Sequence, residues 1–128
     1  MNWNFVERDV AEALHHEQLR RHGGGAGLRD ENALESALDR PKNKVAYGDP
    51  DVFELAAAYL YGIAKNHPFV DGNKRAAFVV AAVFLIDNGY MPTADDGHVY
   101  EFVLAVAAGE IDEDGAARFF RDFCVPIG

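Results

Sequence analysis

The chain has 128 residues, 49% hydrophobic and 26% charged, the size and balance of one soluble domain over residues 1–128. Its net charge of −9 and pI near 4.8 exclude a broad nucleic-acid surface, because duplex binding rests on Lys and Arg neutralising phosphates. No apolar run reaches the roughly 20 residues of a membrane helix, Met1-Asn2-Trp3-Asn4-Phe5 does not read as a signal peptide, and Cys124 is alone; a reducing, cytoplasmic setting away from membranes is expected.

In chain order, Val6, Val10, Leu14 and Leu19 give a first amphipathic helix, closed by Gly23-Gly24-Gly25. The glycine triple reads first as a flexible loop and only secondarily as a phosphate cradle. Asp30 caps a second helix over Glu31–Asp39, with Leu34, Ala37 and Leu38 on one face and Pro41 beyond its end. Residues 42–48 then form an exposed connection. Asp49-Pro50 predicts the next start, an acid at the N-cap before proline at the first helical position. That helix should reach about Asn66, with Phe53, Ala56, Leu60, Ile63 and Ala64 inward. It ends at His67-Pro68, because the residue before proline avoids helical angles.

A further helix is expected from about Asn73 to Asn88, closed by Gly89. Residues 76–86 are apolar without a break, and a helix apolar all round is a buried one, so this is the expected centre of the fold. A buried strand competes, but the length and the alanines favour a helix. After a loop at Pro92–Gly97, helices over about His98–Ala108 and Asp112–Phe123 complete a single all-α domain.

The stretch His67-Pro68-Phe69-Val70-Asp71-Gly72-Asn73-Lys74-Arg75 carries the chemistry. The first N–H groups of a helix have no intrahelical partner and point outward with the positive end of the dipole, so the start after Gly72 favours an anion. Lys74 and Arg75 oppose that dipole in the first turn, an arrangement that becomes favourable once phosphates are bound. The pair also stands before a tract, residues 76–128, in which nine acidic residues face only Arg118 and Arg121, a balance of −7. His67 can act as a general base, Asp71 can offer a hard oxygen to Mg²⁺, and Phe69 can anchor the turn. Each also has a bland reading: a helix-ending histidine, an N-cap acid and, for Asn73, a turn former.

These nine residues resemble the signature loop of the Fic/Doc superfamily, specifically its death-on-curing (Doc) branch. Gly27-Leu28-Arg29-Asp30, Leu34 to Pro41, Phe84-Leu85 and Asn88-Gly89 extend the resemblance over nearly the whole chain. It implies a Fic/Doc-type helical domain with His67 as base, Phe69 as buried anchor and Asp71 as Mg²⁺ ligand. Gly72 and Asn73 become anion-cradle positions, and Lys74 and Arg75 contacts to the phosphates of ATP. Fic enzymes that transfer AMP carry a second glycine where this chain has Lys74 and a second arginine where it has Phe78. The Doc pattern, which this chain matches, implies transfer of the γ-phosphate of ATP to a hydroxyl, with a threonine of elongation factor Tu as the known type of target. It also implies a toxin restrained by an antitoxin in trans. No inhibitory Ser/Thr-x-x-x-Glu segment is present, since Ser36 is followed by Arg40 and Thr93 by Gly97. AMP transfer on the same scaffold and a non-catalytic interaction module are the alternatives.

Other signals are weaker. Glu12, His15 and His16 read as a solvated helix face, and His16-Glu17-Gln18-Leu19-Arg20 lacks the second histidine of a zinc-protease helix. Asp112-Glu113-Asp114 reads as a helix-start acid cluster, and His98 as a surface or cap residue.

Overall fold

The computed structural model describes residues 2–128, which form α1 (Arg8–His22), α2 (Glu31–Tyr47), α3 (Val52–Asn66), α4 (Asn73–Asp87), β1 (Tyr90–Pro92), α5 (Asp96–Ala107), α6 (Glu113–Asp122) and β2 (Cys124–Pro126). The helices dominate, as their periodic apolar patterns require. Helix α3 packs against α2, α4 and α6, with α5 on its flank, and α1 lies against α4. Ten of the 15 residues of α3 are buried, against six of the 15 in α4, where Ile86 is exposed. The centre of the fold is therefore shared, α4 supplying Ala76, Ala77, Val80, Ala81, Phe84 and Leu85 to it. Burial of Phe69, Phe84 and Phe120 contributes roughly 1.5–3 kcal/mol each.

Two helix boundaries and the buried face of α1 differ from the sequence expectation. Helix α2 continues through Pro41 to Tyr47 rather than stopping before it, so residues 42–47 are helical. A mid-helix proline costs about 3 kcal/mol, offset by the burial of its ring and by ion pairs on the following turn. Arg40 and Lys44 both pair with Glu113 of α6, the latter at 3.1 Å, and they clamp the extension in place. One turn earlier α2 approaches α3 so closely that a Cβ on Gly62 would stand 3.2 Å from the Ala37 Cα.

Helix α3 starts at Val52, two residues after Pro50, because Asp51 and Glu54 form a reciprocal capping box. The Asp51 carboxylate accepts from the Glu54 N–H at 2.8 Å, and the Glu54 carboxylate accepts from the Asp51 N–H at 3.3 Å. Two orphan donors are satisfied this way, which an Asp49 cap does not achieve. In α1 the buried residues are Ala11 and His15, while Val10 is exposed and Val6 is buried ahead of the helix. The expected solvated face over residues 12–16 therefore holds for His16 but not for His15.

Short strands β1 and β2 pair antiparallel, Met91 opposite Val125, and return the C-terminus to the end of α4. Three residues are too few to show alternation in a sequence. At the same end Asn88 exchanges hydrogen bonds with Asn4, at 2.9 Å in each direction, and Trp3 packs on Phe84. The opposite end, where α3 stops and α4 begins, carries the sequence motif.

Candidate active site

Helix α3 ends at His67, whose N–H still donates to the Ile63 carbonyl at 3.2 Å while its backbone turns left-handed, φ 49° and ψ 56°. It is the only non-glycine residue at positive φ among the described residues. Such a conformation costs on the order of 1–3 kcal/mol and persists only where the surroundings over-determine it. Arg29 supplies much of that constraint. Its Nε donates to the His67 carbonyl at 2.6 Å and its Nη2 to the Asn66 carbonyl at 2.8 Å, capping α3. The Pro68 carbonyl accepts from the N–H groups of Arg29 and Asp30 at 2.8 and 3.0 Å, and Val70 N–H donates to Gly27 at 3.1 Å. Pro68 and Phe69 are buried beneath this seam, and the His67 side chain remains exposed.

Asn73 holds the next part of the loop. Its side chain accepts from the Phe69 N–H at 2.9 Å and donates to the Phe69 carbonyl at 3.0 Å, so both amide functions serve loop shape. Only its backbone N–H is left to face an anion. Gly72 begins α4 at φ 75°, with no side-chain cap, which leaves the first-turn N–H groups open. The left-handed angle suits glycine, and a Cβ there would press to 3.3 Å from Leu19.

The Asp71 carboxylate accepts from the Gly72 N–H at 2.7 Å and, with its other oxygen, from the Gly25 N–H at 3.3 Å. These backbone donors, helped by Arg75 and His15, hold the carboxyl below the usual carboxylate range. Within the glycine triple, Gly25 serves the acid. A Cβ on Gly24 would stand 2.8 Å from Asp71 Oδ2. Lys74 and Arg75 are exposed on the first turn and form no ion pair among the described residues, which contain several elsewhere.

The motif residues thus converge: strained His67, ionised Asp71, open α4 N-terminus and two unpaired cations. Phe78, one turn further, is half-buried against the core near Phe120, 6.2 Å between centroids, and offers no charge. Two residues that hold the site escaped the sequence reading. His15 lies under the loop, its Nε2 2.7 Å from the Asp71 carbonyl and its ring stacked on Phe69 at 3.7 Å. Arg29 was visible only as part of a family-like block; nothing in local spacing announces a clamp on a helix end 38 residues away. No cluster of three or more His, Cys, Asp or Glu able to hold a metal exists among the described residues. A hard cation would accordingly take Asp71 as one ligand and fill its shell with phosphate and water oxygens, the usual manner of Mg²⁺. The free lone pairs of the exposed, ionised Asp71 fit that role.

Comparison with known proteins gives the same family. The family model described as "Fic/DOC family" matches residues 5–85. The chain is 36% identical over 110 residues to "Protein kinase doc" of Escherichia phage P1, covering 85% of this chain and 86% of the phage protein. It is 43% identical over 105 residues to "Toxin Doc" of Mycolicibacterium smegmatis, covering 79% and 81% respectively.

Proposed function

The chain belongs to the Fic/Doc family, in its Doc branch, and on that premise we propose that it is a Doc-like toxin that transfers the γ-phosphate of ATP to a Ser/Thr hydroxyl of a protein. The observation that carries the reading is the open N-terminus of α4, with Lys74 and Arg75 unpaired on its first turn and His67 on the adjoining loop. A neutral His67 imidazole takes the hydroxyl proton as the oxygen attacks the γ-phosphorus, help worth ~10²–10⁴ in rate. The phosphorus–oxygen bond to the β-phosphate breaks, and ADP leaves with that electron pair. Lys74, Arg75 and the first-turn N–H groups from Asn73 onward neutralise the phosphate charge in place, the main protein contribution to phosphoryl transfer. Asp71 is the residue to hold Mg²⁺, which supplies further charge neutralisation on the phosphates when bound.

The resemblance to the Doc branch extends the reading to a target of the elongation factor Tu type and to restraint by an antitoxin in trans; the relatives named as a protein kinase and a toxin support the kinase and toxin parts of it. No helix is long and apolar enough to cross a membrane among the described residues. The second reading is AMP transfer on the same scaffold; Lys74 and the apolar Phe78 favour phosphate transfer over it. Purified protein, a translation-factor substrate and ATP labelled at either the α or the γ position separate them. Label on the substrate from γ-ATP alone is expected. Label from α-ATP alone would replace phosphate transfer by AMP transfer. No magnesium-ATP binding in calorimetry would leave a non-catalytic module.

A further inference from the structure

Helix α1 contributes one polar side chain to the interior. His15 is 5% exposed and is the only buried residue of polar or charged type among those described. Its ring lies parallel to the Phe69 ring, 3.7 Å between centroids and 6° between planes, with Nε2 2.7 Å from the Asp71 carbonyl oxygen. A carbonyl oxygen only accepts, so Nε2 must carry the hydrogen. That fixes the tautomer. The Asp71–Gly72 peptide is trans, so its C=O and N–H lie in one plane and point in opposite directions. With the carbonyl drawn inward by His15, the Gly72 N–H faces outward, where it donates to Asp71 Oδ1 at 2.7 Å. The same glycine then opens α4, its carbonyl accepting from the Ala76 N–H at 2.9 Å. One peptide plane thereby sets the carboxylate and the first turn of the helix together.

Resting on the phosphate-site reading above, we propose that His15 is a positioning residue for the phosphate cradle, through its Nε2–H bond to the Asp71 carbonyl beneath the loop. The surroundings leave little room around this peptide. A Cβ on Gly72 would press Leu19 at 3.3 Å and touch His15 Nε2 at 3.5 Å, and the left-handed φ of 75° itself favours glycine there. Rotation of the Asp71–Gly72 peptide would bury its N–H against α1 and strand the carbonyl on the exposed side. His15 never touches the reacting atoms; it acts through the loop.

A purely structural histidine and a positioning histidine respond differently to two replacements. His15→Phe keeps a ring for the stack on Phe69 but removes the donor. His15→Gln loses the ring but returns an N–H near the Nε2 position. Three readouts apply: imidazole nitrogen NMR for the tautomer, backbone amide signals of Gly72 to Arg75 in the nucleotide-free protein, and calorimetry with magnesium-ATP. We expect an Nε2–H tautomer in the wild type. His15→Phe should displace the four amide signals and weaken magnesium-ATP binding on the order of tenfold, with helix content retained. His15→Gln should return both toward wild type. Wild-type amide signals and affinity in His15→Phe would overturn the proposal, as would an Nδ1–H tautomer or a folded His15→Gln that behaves like His15→Phe. Should wild-type protein bind no magnesium-ATP, the functional reading falls by itself, and the amide signals decide the His15 anchor.

Discussion

Helices α3 and α4 are each 15 residues long and lie side by side, yet their N-termini are built in opposite ways. At α3, Asp51 and Glu54 satisfy each other's backbone groups, and the acid in the first turn suits the dipole. At α4 a glycine stands at the cap, no side chain closes it, and the first turn carries Lys74 and Arg75 with no acid. One end is finished by the chain itself. The other is left open by the chain, and the loop before it is held from three sides by Arg29, Asn73 and His15. The contrast separates a helix start closed by its own side chains from one that, on the function proposed above, is kept open for a ligand.

Substitutions can sharpen or break that contrast. The largest effect is expected from His67→Ala, which should lower transfer by ~10²–10⁴ while leaving the melting temperature near or above wild type, since alanine removes a base but little packing. Transfer at the wild-type rate would end the assignment of the base. Next, Lys74→Ala with Arg75→Ala should weaken magnesium-ATP binding by about two orders of magnitude, each of the two lost charge-assisted contacts counting ~1.5 kcal/mol, the low end for such contacts because both side chains are exposed. Without nucleotide the same double variant should melt no lower than wild type, because cations at a helix start oppose the dipole. Asp51→Ala should do the reverse: a loss of about 1 kcal/mol, read as a Tm lower by a few degrees, with transfer per folded molecule unchanged.

The smallest effect concerns pH. The folded Asp71 carboxyl titrates below its ordinary value, first because of the Gly72 and Gly25 N–H groups. A depressed carboxylate pKa adds stability above the unfolded value, about 3.9, and that stability is lost as pH falls through the lower folded value. Asp71→Asn should therefore differ from wild type near neutrality and converge with it in strong acid. Parallel urea melts across that range check it.

Sequence and structure agree where information is local. The acid cap of Asp30, the stop at His67-Pro68 and the apolar face of α3 all follow from residues within a few positions of one another. The α2 extension through Pro41 does not, because Glu113, which anchors it, is 73 positions from Arg40. Asp49 before Pro50 reads as the cap in the sequence; the reciprocal partner Glu54 makes Asp51 the cap instead. The motif itself was legible because histidine, acid, glycine and cations are contiguous. Its support was not. His15 reaches Asp71 across 56 positions, and a histidine on an otherwise polar helix carries no mark of burial.

The most direct measurement is a calorimetric titration of magnesium-ATP into wild-type protein and into the Lys74→Ala, Arg75→Ala double variant, paired with nucleotide-free melting of both. Saturable binding by wild type, much weakened in a double variant that melts at or above the wild-type temperature, is the expected result. Equal binding by the two proteins, or no binding by wild type, would contradict a phosphate site at the start of α4.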